Sequence, residues 1–448
     1  MTDSGTPMPT PESVAPSPPP SAPPRRFGVF RSLRHRNYRL FFAGQTVSLI
    51  GTWITRVATS WLVYRLTGSV LLLGVVGFAS QIPTLLLTPF SGVLVDRWNR
   101  HRIMVVTQVL SMLQSFALAG LAFAGIITVR DVILLQLLQG IINAFDTPAR
   151  QAFVVEMVTD RGDLPNAIAL NSSMVNASRV IGPSIGGIII AAVGEAWCFL
   201  LDGASYIAVI ASLLAMRVTP RALPTTNTPL IEELRAGFRY VKDFPPVRSA
   251  LILLALVSTL GMPYSVLLPA VARGTLNGDS HTLGFLMTAA GIGALGGAFY
   301  LASRHSVNGL GGVIAIAACT FGGGLVLFGF SRNVILSLLV APVVGGGMMV
   351  TMASTNTILQ TIVEERFRGR VMAYYAMAFL GTTPIGSLLA GVVADRIGPT
   401  NTIILGGVAC IAGGVWFALG LPKFRAHVRP IYIERGIISP RELGSDST

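Results

Sequence analysis

The chain has 448 residues, of which 52% are hydrophobic and only 12% charged, with 48 glycines, 27 prolines and a mean hydropathy of +0.66. Soluble globular chains carry about 25% charged residues, so too little polar surface is present to coat a water-soluble globule of this size, and a bilayer must serve as part of the solvent. The formal net charge of +13 would suggest nucleic acid on a soluble domain, but on a membrane protein it records which loops stay in the cytoplasm, so no nucleic-acid partner is expected.

Residues 1–37 read as an N-terminal cytoplasmic tail. Nine prolines fall within its first 24 positions, so it cannot build a core and is expected to be disordered. No apolar run precedes Arg25 and Arg26, which excludes a secretory signal. The basic residues Arg25, Arg26, Arg31, Arg34, Arg36 and Arg39 then fit an anionic cytoplasmic membrane face.

From Tyr38 onward come apolar segments of spanning length, which requires about 20 residues each. They are 38–64, 70–95, 103–127, 131–148, 164–193, 196–216, 250–272, 282–302, 309–330, 333–358, 370–394 and 400–421. An even number of spans puts both termini on one side. With the amino terminus inside, the outer loops receive only Arg65, Arg130, Arg273, Arg332 and Arg396. Arg56 and Arg179 fall within spans, and every other Lys and Arg lies inside. That bias predicts a multi-pass protein of the bacterial plasma membrane with both termini cytoplasmic.

The longest internal connection, 218–249, contains Thr228–Pro229 followed by Leu230, Leu234, Phe238 and Val241 at helical spacing against charged neighbours. It predicts an amphipathic helix, lying either on the inner membrane face or as a solvated linker. It separates 38–217 from 250–421, and 422–448 is expected to be a cytoplasmic tail. Gly182, Gly187 and Gly194 reappear 204 residues later as Gly386, Gly391 and Gly398, and the same offset carries Gly92 to Gly296 and Arg100 to Arg304. The predicted fold is therefore an all-α membrane protein of twelve transmembrane helices in two six-helix bundles related by a parallel pseudo-repeat, with a site between the halves.

The loop after the second span reads Gly92-Val-Leu-Val-Asp96-Arg97-Trp98-Asn99-Arg100-His101-Arg102. It resembles the loop 2–3 motif of the major facilitator superfamily, keeping Gly92, Asp96, Arg97, Arg100 and Arg102 and departing at Asn99 and His101. Gly92 would permit close helix approach. The resemblance implies that Asp96 helps latch the outward-facing state at a cytoplasmic gate; the alternative is that the arginines only set topology. The fifth span reads Arg179-Val-Ile-Gly182-Pro183-Ser-Ile-Gly186-Gly187 and resembles the superfamily's antiporter motif, found mainly in exporters. Pro183 frees a carbonyl and bends the helix, and the glycines make a groove. The motif's upstream glycines are replaced by Ser178 and Ala169, so direction stays open, as does a packing kink alone. Further segments, Gly51-Thr-Trp53, Trp61-Leu-Val-Tyr64, Thr147-Pro-Ala-Arg150 and Asn166-Ala-Ile-Ala-Leu, are similar to the exporter subgroup containing the enterobactin exporter and the macrolide efflux (transmembrane secretion effector) proteins.

Ionisable groups at membrane depth are functional candidates by default. Arg56 shares a helical face with Thr52, Thr59 and Ser60, so that face should line a cavity. Arg56 either holds an anionic cargo group or pairs with a group of the fourth or fifth span. Arg179 either takes part or snorkels inward in a structural role. Asp202 either carries a proton or hydrogen-bonds a helix end near the outer face, and Asp146 is placed at the inner end of the fourth span as a helix cap. Many proton-coupled relatives have Arg-x-x-Gln-Gly in the fourth span, where this chain has Gln136-Leu-Leu-Gln139-Gly140. Gln136 therefore departs from the proton-coupled pattern.

No Walker loop, metal-ligand set or nucleophile–base constellation is present, so no enzyme, cofactor or metal is expected. Cys198, Cys319 and Cys410 lie in separate apolar runs without a pairing pattern. The expected function is a monomeric secondary active exporter of small amphiphilic compounds (a drug, a secondary metabolite or a siderophore) by proton antiport. An importer by symport and a transport-dead membrane sensor or scaffold are the alternatives.

Overall fold

The computed structural model describes residues 28, 30–217, 230–304 and 306–438; the side chains of Pro89, Val93, Asp96, Arg97 and 230–234 lie outside that description, as does the proline-rich segment. Among the described residues the chain is helical. α1 (Arg36–Thr67), α2 (Val70–Arg97), α3 (Arg100–Phe123), α4 (Val129–Met157), α5 (Leu164–Val193) and α6 (Glu195–Leu214) come first. α7 (Leu230–Asp243) follows, then α8 (Pro245–Leu256), α9 (Tyr264–Ala270), α10 (Ser280–Ala302), α11 (Leu310–Phe330) and α12 (Val334–Ile362). α13 (Glu365–Ala376), α14 (Thr383–Ile397), α15 (Pro399–Leu419) and α16 (Leu421–Glu434) complete it. π-helical turns at Val257–Gly261, Val271–Thr275 and Met377–Gly381 interrupt the passes 245–275 and 365–397 without ending them.

Among the described residues eleven stretches are long and apolar enough to cross a bilayer. α1 is not among them: at 32 residues it has the length, but Gln45, Thr46, Ser48, Thr52, Thr55, Arg56, Thr59 and Ser60 make it too polar. It packs along α5 and α6, with Thr52 and Arg56 left exposed.

Turn chemistry sets the helix ends. Gly68 takes the left-handed conformation (φ 63°) after α1, and the Ser69 side chain accepts the Leu72 N–H at the start of α2. Thr128 and Asp131 form a reciprocal capping box on α4. Asn99, where the superfamily motif has glycine, accepts the Arg102 N–H and caps α3, and His101 Nε2 lies 2.8 Å from the Leu213 carbonyl. Both departures from the motif thus have local work.

α4 differs from the expected span, which ended at Pro148. The helix continues to Met157, with Asp146 inside it rather than at a cap. Proline removes the hydrogen bond to the carbonyl four residues earlier, here Ala144, and the Ser91 hydroxyl of α2 donates to that oxygen at 2.5 Å. Ser91→Ala is expected to lower stability by about 1 kcal/mol, the usual net value of one such bond, read as a lower unfolding temperature in detergent.

The helices sort into two packed groups. α1 packs on α5 and α6, α2 on α4, and α3 on α4 and α6; in the second group α10 packs on α12, and α11 on α12 and α15. α9 makes smaller contacts with α1 and α2, and two main pairs join the groups, α5 with α10 and α2 with α14. Both are glycine-mediated. A Cβ on Gly187 would lie 2.6 Å from the Ser280 carbonyl, and one on Gly284 2.5 Å from the Pro183 carbonyl. On the other side a Cβ on Gly74 would lie 2.7 Å from the Ser387 carbonyl and 2.8 Å from Gly391 Cα. Ser280 Oγ donates to the Gly187 carbonyl at 3.1 Å, and Thr288 Oγ1 to the Val180 carbonyl at 2.9 Å. These contacts gather toward the helix ends remote from Arg36 and α16. Among the described residues no comparable contact joins α3 or α4 to α12 or α13 at the opposite end.

α7 does not lie free: Tyr240 stacks on Phe367 of α13 (4.5 Å) and Phe238 meets Tyr374 (6.3 Å). The basic segment before α1 has a partner that its local sequence does not show. Arg31, Arg34 (2.6 Å) and His35 (2.9 Å) surround Asp163 between α4 and α5, a carboxylate only 1% exposed, while Arg36 and Arg39 are exposed and Arg25 and Arg26 lie outside the described residues. α16 extends order into the segment expected as a tail, burying Phe424, Val428 and Tyr432.

Candidate functional site: the chamber between the helix groups

The groove on α5 has two faces. Gly182 sits against Trp53 of α1, and Gly186 against Ile54, where a Cβ would lie 3.2 Å from Cα. Gly187 faces α10 instead, as described above. Pro183, Ser184 and Gly187 therefore meet α10 while Gly182 and Gly186 meet α1.

Because Gly182 lets α5 down onto Trp53, two arginines reach the same indole. Arg56 Cζ stands 4.6 Å from the ring centroid and Arg179 Cζ 5.4 Å. Arg56 is accessible although protein surrounds it, and Arg179 is half-buried. The electrostatic neighbour of Arg56 is Arg179, not a carboxylate, so the expected alternative of an ion pair to the fourth or fifth span is not observed. Arg179 does not snorkel away; its other neighbour is Tyr264 of α9, from the second group. Thr52 is exposed one turn before Arg56, while Thr59 turns inward and accepts Gln136 Nε2 at 3.4 Å. Gln136 therefore ties α4 to α1 where the family's arginine would stand.

Asp202 lies behind this face rather than at a helix end. It is 2% exposed, accepts Ser115 Oγ of α3 at 2.8 Å, and packs against Gly51 of α1. Its second oxygen faces the Thr55 hydroxyl without forming a well-shaped hydrogen bond. Four carboxylates are buried among the described residues: Asp146, Asp163, Glu195 and Asp202. Asp146 accepts Thr107 and Gln108 and lies 3.7 Å from Arg150; Asp163 has the cluster before α1; Glu195 pairs with Arg65 at 2.7 Å. Asp202 alone of the four has no cation.

Of the gate motif, Arg100 pairs with Glu156 of α4 at 2.7 Å, and Arg102 is exposed. The expected close helix packing at Gly92 is absent, since nothing lies within 4 Å of a Cβ there. The side chains of Asp96 and Arg97 lie outside the described residues. Trp53, Tyr264 and Glu156 were not expected at the site. The Trp53–Arg56 spacing of three was the available signal for the first; the other two meet partners far away in sequence.

The profile of the transmembrane secretion effector family matches residues 27–431. The chain belongs to this family of the major facilitator superfamily. Curated relatives of this chain include the staphyloferrin A transporter of Staphylococcus aureus, 25% identical over 83% of this chain and 93% of that protein. The multidrug efflux pump Tap of Mycolicibacterium fortuitum is 28% identical over 86% and 95%, and macrolide efflux protein A of Streptococcus pyogenes 23% identical over 85% and 96%. The fold is similar to that of a bacterial homolog of the lysosomal transporter Spinster, inward-facing and unoccupied, with TM-score 0.66 at 15% identity, covering 91% of this chain and 99% of that one. It is also similar to the nucleoside transporter NupG, with TM-score 0.67 at 13% identity over 88% and 99%. The chain is a multi-pass membrane transporter, and two of these three relatives are named as efflux proteins.

Proposed function

We propose that this secretion effector exports small amphiphilic compounds from the cytoplasm by alternating access, as a proton antiporter. The observation that carries the reading is the close packing of α5 on α10 and of α2 on α14 at one end, without comparable contact at the other end among the described residues; we read this as a chamber closed on one side. With the basic side cytoplasmic, that is an inward-open state ready to load cargo.

The reading takes α1 as a twelfth span, with six helices per bundle (38–217 and 250–421) joined by 218–249, both termini in the cytoplasm of a bacterial plasma membrane. The parallel repeat is supported by glycines 204 residues apart doing the same work. Gly182 seats α5 on α1, and Gly386 meets the Thr259 carbonyl and Pro263 ahead of α9. Gly187 and Gly391 each meet the opposite bundle, and Gly194 (φ 92°) and Gly398 (φ 87°) each make the turn that follows. One chain supplies both walls, so a monomer suffices. Gly92, Asp96, Arg97, Arg100 and Arg102 form the cytoplasmic gate in this scheme, with Glu156 as the partner of Arg100. Asp202 is the coupling carboxylate because no cation compensates it. Efflux as the direction is further supported by what the relatives are called.

The test uses inverted membrane vesicles with an acidic interior and a panel of labelled amphiphiles, a macrolide among them. Export by antiport predicts accumulation inside the vesicles, abolished by an uncoupler. Depletion from the vesicles, the opposite sign, would indicate an importer; no gradient-dependent movement of any compound would remove the transport reading.

A further inference from the structure

Two guanidinium groups on one indole, with no carboxylate beside them, are an unusual arrangement at membrane depth. Guanidinium does not give up its proton in proteins, so both charges persist. Side by side away from bulk water they repel, and uncompensated charge in such a place is expensive. The rest of the protein shows how this chain treats buried charge elsewhere. Asp163 has three basic partners, Glu195 has Arg65, and Glu156 has Arg100. Arg56 and Arg179, like Asp202, have no opposite charge beside them among the described residues, and Arg56 is exposed. Asp202 does not compensate them: it is turned to Gly51 and Thr55 on α1 and to Ser115 on α3.

We infer that Arg56 and Arg179 form a carboxylate seat: the bound molecule carries a carboxylate held between the two guanidiniums, with its apolar part against Trp53 and Tyr264. The forked, planar guanidinium matches a carboxylate in two parallel hydrogen bonds, and two such groups surround one anion from different helices. The indole already held in place by Gly182 supplies a flat apolar floor. Tyr264 contributes a phenol from the second bundle, so an occupied seat is touched by both halves at once. The seat rests on the exporter reading only in naming its occupant as cargo.

The test uses the purified full chain in lipid nanodiscs with a matched probe pair, 2-naphthoate and 2-naphthamide, which share shape and differ in charge. Naphthoate is expected to bind at least about tenfold more tightly than the amide, the effect of one charge-assisted hydrogen bond. Arg56→Gln and Arg179→Gln should each reduce naphthoate to the level of the amide and leave the amide unchanged, with Arg56→Lys retaining part of the preference. Each Gln variant should also raise the unfolding temperature of the unliganded protein, since one of two repelling charges is gone; a packing role predicts the reverse. Equal binding of the two probes, naphthoate affinity unmoved by both variants, or a lower unliganded unfolding temperature with loss of both probes would each overturn the seat. Gradient-driven accumulation of a macrolide without naphthoate preference would overturn the seat and leave export standing. Naphthoate preference with no accumulation of any compound would leave the seat standing and remove export.

Discussion

Asp202→Asn is expected to disconnect cargo movement from the proton gradient while leaving the chamber intact. Asn retains an oxygen able to accept from Ser115 Oγ, so the packing among α1, α3 and α6 survives, but it cannot exchange a proton. In inverted vesicles with a one-unit pH difference, exchange of one proton per cargo supports at most about tenfold accumulation. The variant should fall to an equal distribution across the membrane. Counterflow, the exchange of labelled for unlabelled cargo without a gradient, should persist, which separates uncoupling from misfolding. Charge compensation singles this residue out: Asp146, Asp163 and Glu195 each have a basic partner, and Asp202 has none among the described residues. Its proximity to Thr55, next to Arg56 in α1, gives a protonation change at Asp202 a short mechanical route to the chamber wall. An unaltered pH profile in the variant would assign the proton to another group.

Gly187→Val is expected to shift the resting protein out of the state described here. A Cβ at 187 would stand 2.6 Å from the Ser280 carbonyl, a backbone atom of α10 that cannot rotate away. Overpacking of this kind costs about 1–3 kcal/mol, which moves a two-state equilibrium about 5- to 150-fold. The penalty falls only on the conformation in which α5 and α10 touch, so the population moves toward one in which that end is parted. Spin labels across the α5–α10 seam should report a longer distance, and transport should fall because the cycle no longer returns easily. Gly391→Val tests the same idea at the other seam, where Gly74 is the opposing residue. Unchanged label distances in both variants would mean that these glycines do not govern closure.

Much of the helix plan was legible because long apolar runs have few alternatives in lipid. The expected segment 164–193 coincides with α5, and most other boundaries fall within a few residues. Pro148 misled because proline usually ends a helix; the compensating hydroxyl, Ser91, lies on a different helix and leaves no local signal. The pairing of Arg31 and Arg34 with Asp163 was not legible because that partner lies far away in sequence. The chamber was half visible. Arg56 stood out as a charge in an apolar run, but the convergence of Arg179 on the same indole depends on how closely Gly182 brings α5 to α1, and Tyr264 arrives from the second bundle. Such tertiary coincidences follow from packing and not from spacing along one helix.

The polarity of α1 has a consequence for how the protein is made. A helix carrying Arg56 and a run of hydroxyl and amide side chains partitions poorly into hydrocarbon by itself. Its covering partners, α5 and α6, are synthesised roughly a hundred residues later. On the proposed reading of α1 as a twelfth span, its seating in the amino-terminal half is expected to wait for α5 and α6 and so to follow insertion rather than accompany it.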